Sequence, residues 1–113
     1  MQIKAGCDIV YLPKFTSKFT QNSLLLSKLF TPHELTQSHT LQSLAGKFAA
    51  KEAVIKALDL DPGSWLEIEI TNTITGKPIV KIAQIHYLLE SSEVSISHDG
   101  EYAMAVAMFL IRS

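Results

Sequence analysis

Long apolar runs are missing from this sequence of 113 residues, and no stretch approaches the roughly 18 apolar residues that a membrane-spanning helix requires. The first ten residues include Lys4 and Asp8, so they also lack the uninterrupted apolar segment of a secretory signal. Internal repeats and low-complexity segments are absent. Apolar residues make up 47% of the chain and charged residues 19%, which excludes disorder. We therefore expect a single soluble domain, residues 1–113, with no membrane partner.

Cysteine and arginine are scarce. The lone cysteine, Cys7, has no partner for a disulfide or a metal site, which favours a reducing, cytoplasmic compartment, and we expect it to be a small buried residue. Arg112 is the single arginine, and the net charge of −1 does not indicate a nucleic-acid polymer as partner. The first third of the chain is nevertheless cationic. Its lysines form either a solvated helix face or a docking surface for an acidic partner: Lys14, Lys18 and Lys28.

The order of periodic segments predicts an α+β fold, with helices mainly in the first half of the chain and an antiparallel sheet mainly from the second. Residues 3–10, "IKAGCDIV", are typical of a strand. The helices that follow have recognisable ends: Pro13 in a first turn, a capping box at Thr31, Pro32 and Glu34, and a pattern from Thr40 to Leu58 that stops at "DPG", residues 61–63.

Strict alternation over residues 65–72 predicts a half-buried strand, with apolar side chains inward and carboxylates in water: Leu66, Ile68 and Ile70 against Glu67 and Glu69. A turn then leads to a strand in "PIVKI", and residues 83–92 predict a short helix. Two alternating runs around Asp99-Gly100 predict a hairpin, because both residues tolerate the positive φ of a tight turn.

The last strand, residues 101–111, is apolar on both faces. One face has alanines and Phe109, and the other has a stripe of larger residues: Tyr102, Met104, Val106, Met108 and Leu110. A domain of this size cannot cover both faces by itself, so the pattern predicts an oligomer interface. Trp65 and Tyr87 are expected in the core or at that interface, and His86 as structural or exposed.

The helix over residues 40–58 is crowded on two sides when its residues are placed 100° apart. Large apolar residues share one arc and alanines share another: Leu41, Leu44, Phe48, Ile55 and Leu58, and Ala49, Ala50, Ala53 and Ala57. Glu52 and Lys56 lie along the seam between the arcs. Lys47 and Lys51 lie on the large-residue side, where they must extend along apolar surface or reach into a cleft.

Two explanations stay open for these charges. An i,i+4 ion pair between Glu52 and Lys56 would contribute about 0.2–0.5 kcal/mol. Such a pair does not offset the burial of a carboxylate and three ammonium groups, which favours a ligand that carries both a cation and anions. Mg²⁺ bound to phosphate fits that description, since this ion uses one or two carboxylates together with phosphate oxygens.

Four motifs resemble the holo-acyl-carrier-protein synthase family of 4'-phosphopantetheinyl transferases, in the same order and spacing along nearly the whole chain: "GCDIV", "FAAKEAVIKAL", "GKP" and "VSISH". The resemblance implies the fold of that family and a homotrimer with active sites between subunits. It also implies Mg²⁺ as cofactor and coenzyme A as co-substrate. In the implied reaction, the 4'-phosphopantetheine arm passes from coenzyme A to a serine of an apo acyl carrier protein, and adenosine 3',5'-bisphosphate leaves.

The resemblance assigns roles to residues of this chain. Asp8 and Glu52 would bind the metal, and together with Lys56 they would form the catalytic set. Coenzyme A would contact six residues: Lys47, Lys51, Lys56, Pro78, Ser97 and His98. The base that accepts the serine proton stays open between a water on the metal and a carboxylate such as Asp8, and His98 is expected to contact the ligand rather than act as that base.

Departures from the family pattern keep a second hypothesis open. Asp59 and Asp61 occupy a stretch where the family has glycine, and their charges would repel a diphosphate. The first helix has lysines in place of arginines, and Asp99 follows His98 where threonine is common. The alternative is a divergent, non-catalytic homologue that keeps the oligomeric scaffold and nucleotide binding. The carrier, of fatty acid or of polyketide synthesis, is not specified by the sequence.

Overall fold

A computed structural model describes residues 1–22, 24–83 and 88–112 of the chain. The elements follow one another in the order β1 (Gln2–Tyr11), α1 (Leu12–Gln21), α2 (Leu25–Leu29), α3 (Pro32–Gln37), α4 (Leu41–Leu58), a 3₁₀ turn (Trp65–Glu67), β2 (Ile68–Asn72), β3 (Pro78–Ile82), β4 (Leu89–Asp99) and β5 (Tyr102–Ile111). Both sheets are antiparallel and pack with helices, so the predicted α+β class is confirmed. In the described ranges, no helix is both long and apolar enough to cross a membrane.

The main sheet has the strand order β1-β5-β4, and β2 pairs with β3 in a second sheet. One face of β5 is buried under α4, and the residues on it are small apart from one ring: Ala103, Ala105, Ala107 and Phe109. The opposite face stays open in the single chain, where Met104 and Met108 are 43% and 47% exposed. Ile9, opposite Met104 on β1, belongs to the same open face and is 64% exposed.

The crossing of β1 over α4 is very close. A side chain at Gly6 would collide with the backbone of the helix, since a Cβ there would overlap the Ala53 carbonyl oxygen and lie 2.7 Å from the Ala57 nitrogen. The alanines of α4 are completely or almost completely buried at this crossing. Because side chains on a strand alternate between its two faces, Gly6, Asp8 and Val10 all face the helix. The crossing therefore fixes Asp8 beside the second half of α4.

The predicted helix ends agree with the structure. Thr31 caps α3, with its hydroxyl accepting from the Glu34 N–H at 3.2 Å while the Glu34 carboxylate accepts from the Thr31 N–H at 2.8 Å, which is the predicted capping box. Thr40 caps α4 by a single bond, in which its hydroxyl accepts from the Ser43 N–H at 3.1 Å. The helix ends at Leu58, and Asp59 follows with φ 54°, a left-handed conformation that normally favours glycine.

Three predicted local features are wrong in detail. Leu66 lies in a 3₁₀ turn and is 53% exposed, so β2 begins only at Ile68. The helix predicted over residues 83–92 is contradicted from Leu89 onward, where β4 has begun; residues 84–87, including His86 and Tyr87, lie outside the described residues. The hairpin pairs Asp99 with Tyr102, which moves the turn to Gly100-Glu101, with a positive φ only at Gly100.

Cys7 is exposed on the outer face of β1, which contradicts the prediction that it is a buried apolar residue. The reason is the register of the strand. Gly6 and Asp8 occupy the positions that face α4, so the residue between them must face the other way.

Candidate functional site

Asp8 and Lys56 form an ion pair where β1 crosses α4. The Lys56 ammonium donates to Asp8 Oδ1 at 3.0 Å and to the Cys7 carbonyl oxygen at 3.1 Å. The hydrogen bond that Lys56 donates to Asp8 raises the pKa of Lys56, so the lysine is a fixed cation. The Lys56 side chain is also 58% exposed, which corrects the expectation that the charges of this seam are shielded from solvent. An exposed cation of this kind can meet a ligand anion without a large desolvation cost.

Glu52 lies one turn before Lys56 and belongs to the same cluster. Burial raises the pKa of Glu52, and the negative charge of Asp8 raises it further, which places the two carboxylates within electrostatic reach of one another. The charges of Lys56 and Lys18 oppose this shift. The predicted catalytic set of Asp8, Glu52 and Lys56 is thus a spatial cluster, with a second lysine from α1 beside it.

A cleft of about 150 Å³ adjoins this cluster. It lies between β1 and α1 and is bordered by Asp8, Lys14, Lys18 and the ring of Phe48, among other residues. Lys14 and Lys18 were expected either on a solvated face or at a docking surface. In the structure they form the cationic wall of a cleft that begins at Asp8, a position suited to a ligand carrying negative charge.

The two carboxylates suit a magnesium ion that also takes oxygen ligands from a substrate. Within the ranges described, no group of three or more histidine, cysteine, aspartate or glutamate side chains could hold a metal. A cage made by the protein alone is therefore absent from that part of the chain. Mg²⁺ does not need one, because it commonly uses one or two carboxylates and completes its octahedron with phosphate oxygens and water. The repulsion between Asp8 and Glu52 is also what a bound cation would relieve.

Lys51 does not belong to this cluster, which corrects the prediction that it contacts coenzyme A. Its side chain is completely buried, and its ammonium donates to three acceptors: Glu34 Oε1 at 2.6 Å, the Leu29 carbonyl at 2.7 Å and the Trp65 carbonyl at 2.9 Å. An ammonium has three donors, so none is left for a ligand. Burial lowers the pKa of Lys51 and contact with Glu34 opposes that shift, and the three acceptors keep the charged form.

Lys47 is buried at 2% exposure, but its situation differs from that of Lys51. No described atom accepts a hydrogen bond from its ammonium. Burial lowers the pKa of Lys47, and the nearby charges of Glu34 and Glu69 compensate only in part. A buried ammonium without an acceptor costs free energy. The ligand-binding role of Lys47 stays a prediction, and its unsatisfied ammonium favours that role.

The remaining predicted contacts lie away from the Asp8–Glu52 cluster. Ser97 and His98 are exposed at the end of β4 and border a cleft of about 250 Å³ with Ile9, Tyr102 and Met104. His98 Nε2 lies 3.0 Å from the Gln42 carbonyl oxygen, so this nitrogen carries a hydrogen and donates it. Pro78 begins β3 and borders a separate cleft of about 290 Å³. One chain therefore does not gather all the predicted ligand contacts into one site.

A larger cleft, of about 590 Å³, includes none of the predicted site residues. It lies along β2 and β3, and its charged side chains are Glu67, Glu69 and Lys81. Two carboxylates against one ammonium make this cleft unsuitable for a diphosphate. Cleft size alone therefore does not identify the candidate site, and the arrangement of charges around Asp8 does.

Trp65 packs against α4. It was expected in the core or at an interface, and its ring does pack on Phe48 with centroids 6.1 Å apart. Its backbone joins the same helix a second time, since the Trp65 carbonyl oxygen accepts a hydrogen bond from the Lys51 ammonium at 2.9 Å. No periodicity in the sequence predicts this contact.

Residues 4–107 match the model of the 4'-phosphopantetheinyl transferase superfamily, which places the chain in a class of enzymes. Within it, the chain belongs to the holo-acyl-carrier-protein synthase family, as the four motifs predicted. It is 39% identical to the holo-[acyl-carrier-protein] synthase of Moorella thermoacetica, with 94% of this chain and 92% of that protein aligned.

Solved structures agree with this assignment. The holo-[acyl-carrier-protein] synthase of Helicobacter pylori in complex with coenzyme A is 29% identical, with a TM-score of 0.84 over 94% of this chain and 99% of that one. The ACPS–CoA complex from Chronobacterium ammoniagenes is 27% identical, with a TM-score of 0.82 over the whole of both chains. Two of the structures that share this fold thus contain the predicted co-substrate.

Proposed function

We propose that the chain transfers 4'-phosphopantetheine from coenzyme A to a serine of an apo acyl carrier protein, with Mg²⁺ held by Asp8 and Glu52. Family membership and the coenzyme A complexes of related synthases support the substrates. The observation that supports the site is the ion pair of Asp8 and Lys56 at 3.0 Å, with Glu52 one turn before Lys56 and near enough for the Asp8 charge to raise its pKa, since these are the residues that the family motifs assign to metal and phosphate.

The reaction displaces one oxygen at phosphorus by another. The serine oxygen forms a bond to the phosphorus that bears the pantetheine arm, the bond from that phosphorus to the bridging oxygen breaks, and adenosine 3',5'-bisphosphate leaves with the electron pair. The serine proton passes to a base. Such a displacement requires an in-line arrangement and neutralised phosphate charge more than covalent help from the protein. Bound Mg²⁺ would supply part of that neutralisation.

The protein's own residues supply the rest. Lys56 is a fixed and exposed cation at the carboxylate pair, and Lys18 adds a second positive charge near Glu52. Asp8 already accepts a hydrogen bond from Lys56 on Oδ1, so this contact orients the carboxylate before any ligand arrives. The cationic wall of Lys14 and Lys18 also suits the approach of an acidic carrier protein.

We also propose a homotrimer in which neighbouring subunits complete each site. The open face of the main sheet carries the apolar stripe of β5, and a monomer seldom leaves such a continuous face uncovered. Ser97 and His98 border a cleft on this side, together with Met104. Association through this face would bring the Ser97–His98 end of one chain toward another chain, which accounts for ligand contacts that one chain keeps apart. Sedimentation velocity measures the subunit number directly, and a monomer at micromolar concentration would contradict the trimer. The cytoplasmic location stays a prediction.

The transfer is tested by mass spectrometry. Apo carrier protein is incubated with coenzyme A, Mg²⁺ and the enzyme, and the added phosphopantetheine mass is followed over time. Glu52→Gln should abolish transfer, because a neutral amide cannot balance the charge of the ion, while circular dichroism shows a folded protein. Glu90→Gln, an acidic residue paired with Arg112 at the far end of β4, is the matched control and should transfer normally.

The outcomes separate the two hypotheses. Absence of transfer by the wild-type chain to several carriers, together with retained coenzyme A binding, would favour the divergent homologue. Normal transfer by Glu52→Gln would remove Glu52 from the metal site. Loss of transfer without Mg²⁺, and recovery when it is added back, is the expected result for the metal itself.

A further inference from the structure

Gly46 occupies the interior of α4, where glycine is, after proline, the least favourable residue. Its backbone is helical, without the positive φ that would require glycine. The reason for glycine here is space. A Cβ at this position would lie 2.8 Å from Nε2 and 3.0 Å from Cε1 of His98, and 2.9 Å from Cγ2 of Ile96. The missing side chain therefore makes room for the imidazole ring of His98.

The His98 side chain reaches this place from the neighbouring sheet. In the register of β4 and β5, His98 pairs with Ala103, which is buried on the face that packs on α4. Cross-strand partners share a face, so the His98 side chain points toward the helix. Its Nε2 lies 3.0 Å from the carbonyl oxygen of Gln42, one turn before Gly46. The ring thus rests on the helix backbone at the turn that Gly46 leaves uncovered.

The contact with Gln42 fixes which ring nitrogen carries a hydrogen. A carbonyl oxygen only accepts, so Nε2 donates, and in the neutral imidazole the other nitrogen, Nδ1, is then an acceptor. The carbonyl can accept from His98 and from the helix together, because it has two lone pairs. His98 is nevertheless exposed and borders the cleft of about 250 Å³ that also includes Ser97 and Asp99. The imidazole is therefore anchored at one nitrogen and still reaches the cleft.

We infer that Gly46 is a positioning residue: it lets His98 lie against α4 and donate from Nε2 to the Gln42 carbonyl, which leaves Nδ1 for coenzyme A. The hydrogen bond made by one nitrogen of a histidine sets the tautomer in which the other nitrogen acts. The inference rests on the proposed contact between His98 and coenzyme A.

The surroundings of Gly46 make this role separable from folding. In Gly46→Ala the added Cβ would meet side-chain atoms of His98 and Ile96, whereas a Cβ at Gly6 would meet the helix backbone. Side chains can turn away, and alanine is more favourable than glycine inside a helix. Gly46→Ala should therefore keep the fold, as circular dichroism would show, while it displaces the imidazole from Gln42.

The first measurement is coenzyme A affinity, by isothermal titration calorimetry on the full-length protein. Gly46→Ala should weaken binding about 3–10-fold, the range expected for one displaced hydrogen bond. His98→Ala should weaken it at least as much. The double variant Gly46→Ala/His98→Ala should bind no more weakly than His98→Ala, because without the imidazole there is no ring left to displace.

The second measurement is the tautomer of His98, by NMR of protein labelled with ¹⁵N-histidine in alkaline buffer, where imidazole is neutral. The His98 signals are those that His98→Ala removes. In the wild type they should show one tautomer, with hydrogen on Nε2. In Gly46→Ala the Nδ1 and Nε2 shifts should move toward each other, since a ring detached from Gln42 exchanges between both tautomers.

Three results would overturn the inference. One is a wild-type His98 ring with hydrogen on Nδ1. Another is unchanged coenzyme A affinity in Gly46→Ala although His98→Ala binds weakly. The third is an equal loss on Gly46→Ala with and without the His98 ring, since this would assign the effect to Ile96 or to the helix. Failure of the proposed contact is distinct: His98→Ala then binds coenzyme A as tightly as the wild type, while the NMR spectra still show the Nε2 tautomer and its loss in Gly46→Ala.

Discussion

The buried ion pair of Lys51 and Glu34 gives the sharpest test of what holds the fold together. Both side chains are completely buried, and each makes three hydrogen bonds: Lys51 to Glu34, the Leu29 carbonyl and the Trp65 carbonyl, and Glu34 to Lys51 and the N–H groups of Thr31 and Ile70. Lys51→Met keeps much of the volume but leaves a carboxylate without its cation and takes the ammonium donor from the Leu29 and Trp65 carbonyls, of which the Trp65 carbonyl still accepts from the Ile68 N–H. Removal of one partner from a buried pair costs about 3–5 kcal/mol.

Urea unfolding followed by circular dichroism measures this loss, at one protein concentration because the chain is expected to associate. With a slope of about 2 kcal/mol per molar urea, a loss of about 4 kcal/mol moves the midpoint down by about 2 M. Lys28→Met, at an exposed lysine of α2, is the matched control and should change the unfolding free energy by less than about 0.5 kcal/mol.

A double-mutant cycle then measures the interaction free energy between Lys51 and Glu34. Glu34→Gln leaves the Lys51 ammonium without its carboxylate partner, and the double variant Lys51→Met/Glu34→Gln leaves no charge at either position of the pair. The double variant should therefore lose less than the sum of the single losses, by about 0.5–3 kcal/mol. A loss below about 1 kcal/mol in Lys51→Met alone would refute the reasoning, because it would mean that the buried carboxylate does not depend on its cation.

Two further predictions concern α4. Lys47→Met should stabilise the chain by about 1–3 kcal/mol, since it removes a buried ammonium without an acceptor, while coenzyme A affinity measured by calorimetry should fall. Burial lowers the pKa of Lys47, so this gain should be complete below the lowered pKa and shrink as pH rises toward the ordinary value of 10.5; a gain that grows with pH would contradict this. Asp59→Gly should raise the unfolding free energy by about 1 kcal/mol, because φ is 54° there. Asp59→Asn removes the charge but keeps the side chain, so an equal gain in that variant would assign the effect to charge instead of backbone conformation.

Local sequence signals were enough for much of this fold. The capping box at Thr31 and the cap at Thr40 depend on residues three positions apart, so their geometry is set by the chain itself. The alternation of β5 predicted two distinct apolar faces, since a strand has no freedom to place neighbours on the same side, and the structure shows that the alanine and Phe109 face is the buried one. The alternation around Leu66 failed because a 3₁₀ turn, held by Lys51 at the Trp65 carbonyl, replaces the start of the strand.

The site was predicted less completely than the fold. Asp8, Glu52 and Lys56 were found from family motifs, and the crossing at Gly6 explains why they meet. Lys51 was assigned to the ligand because it lies on the large-residue side of the helix, where it was expected to extend along apolar surface or reach into a cleft. Its real acceptors are carbonyls of residues 22 and 14 positions away, and no pattern in the sequence specifies those.

The close crossing at Gly6 affects how mutational scans of this enzyme should be interpreted. Any substitution there pushes β1 away from the helix backbone, and Asp8 moves with it. A screen scored by product formation would therefore rank Gly6 with the residues that touch the reacting groups, although it has no side chain to offer. Abundance measured in parallel would show whether the variants persist in a folded but inactive state. At Gly6, the same close contact with the helix backbone maintains both the fold and the position of the Asp8 carboxylate.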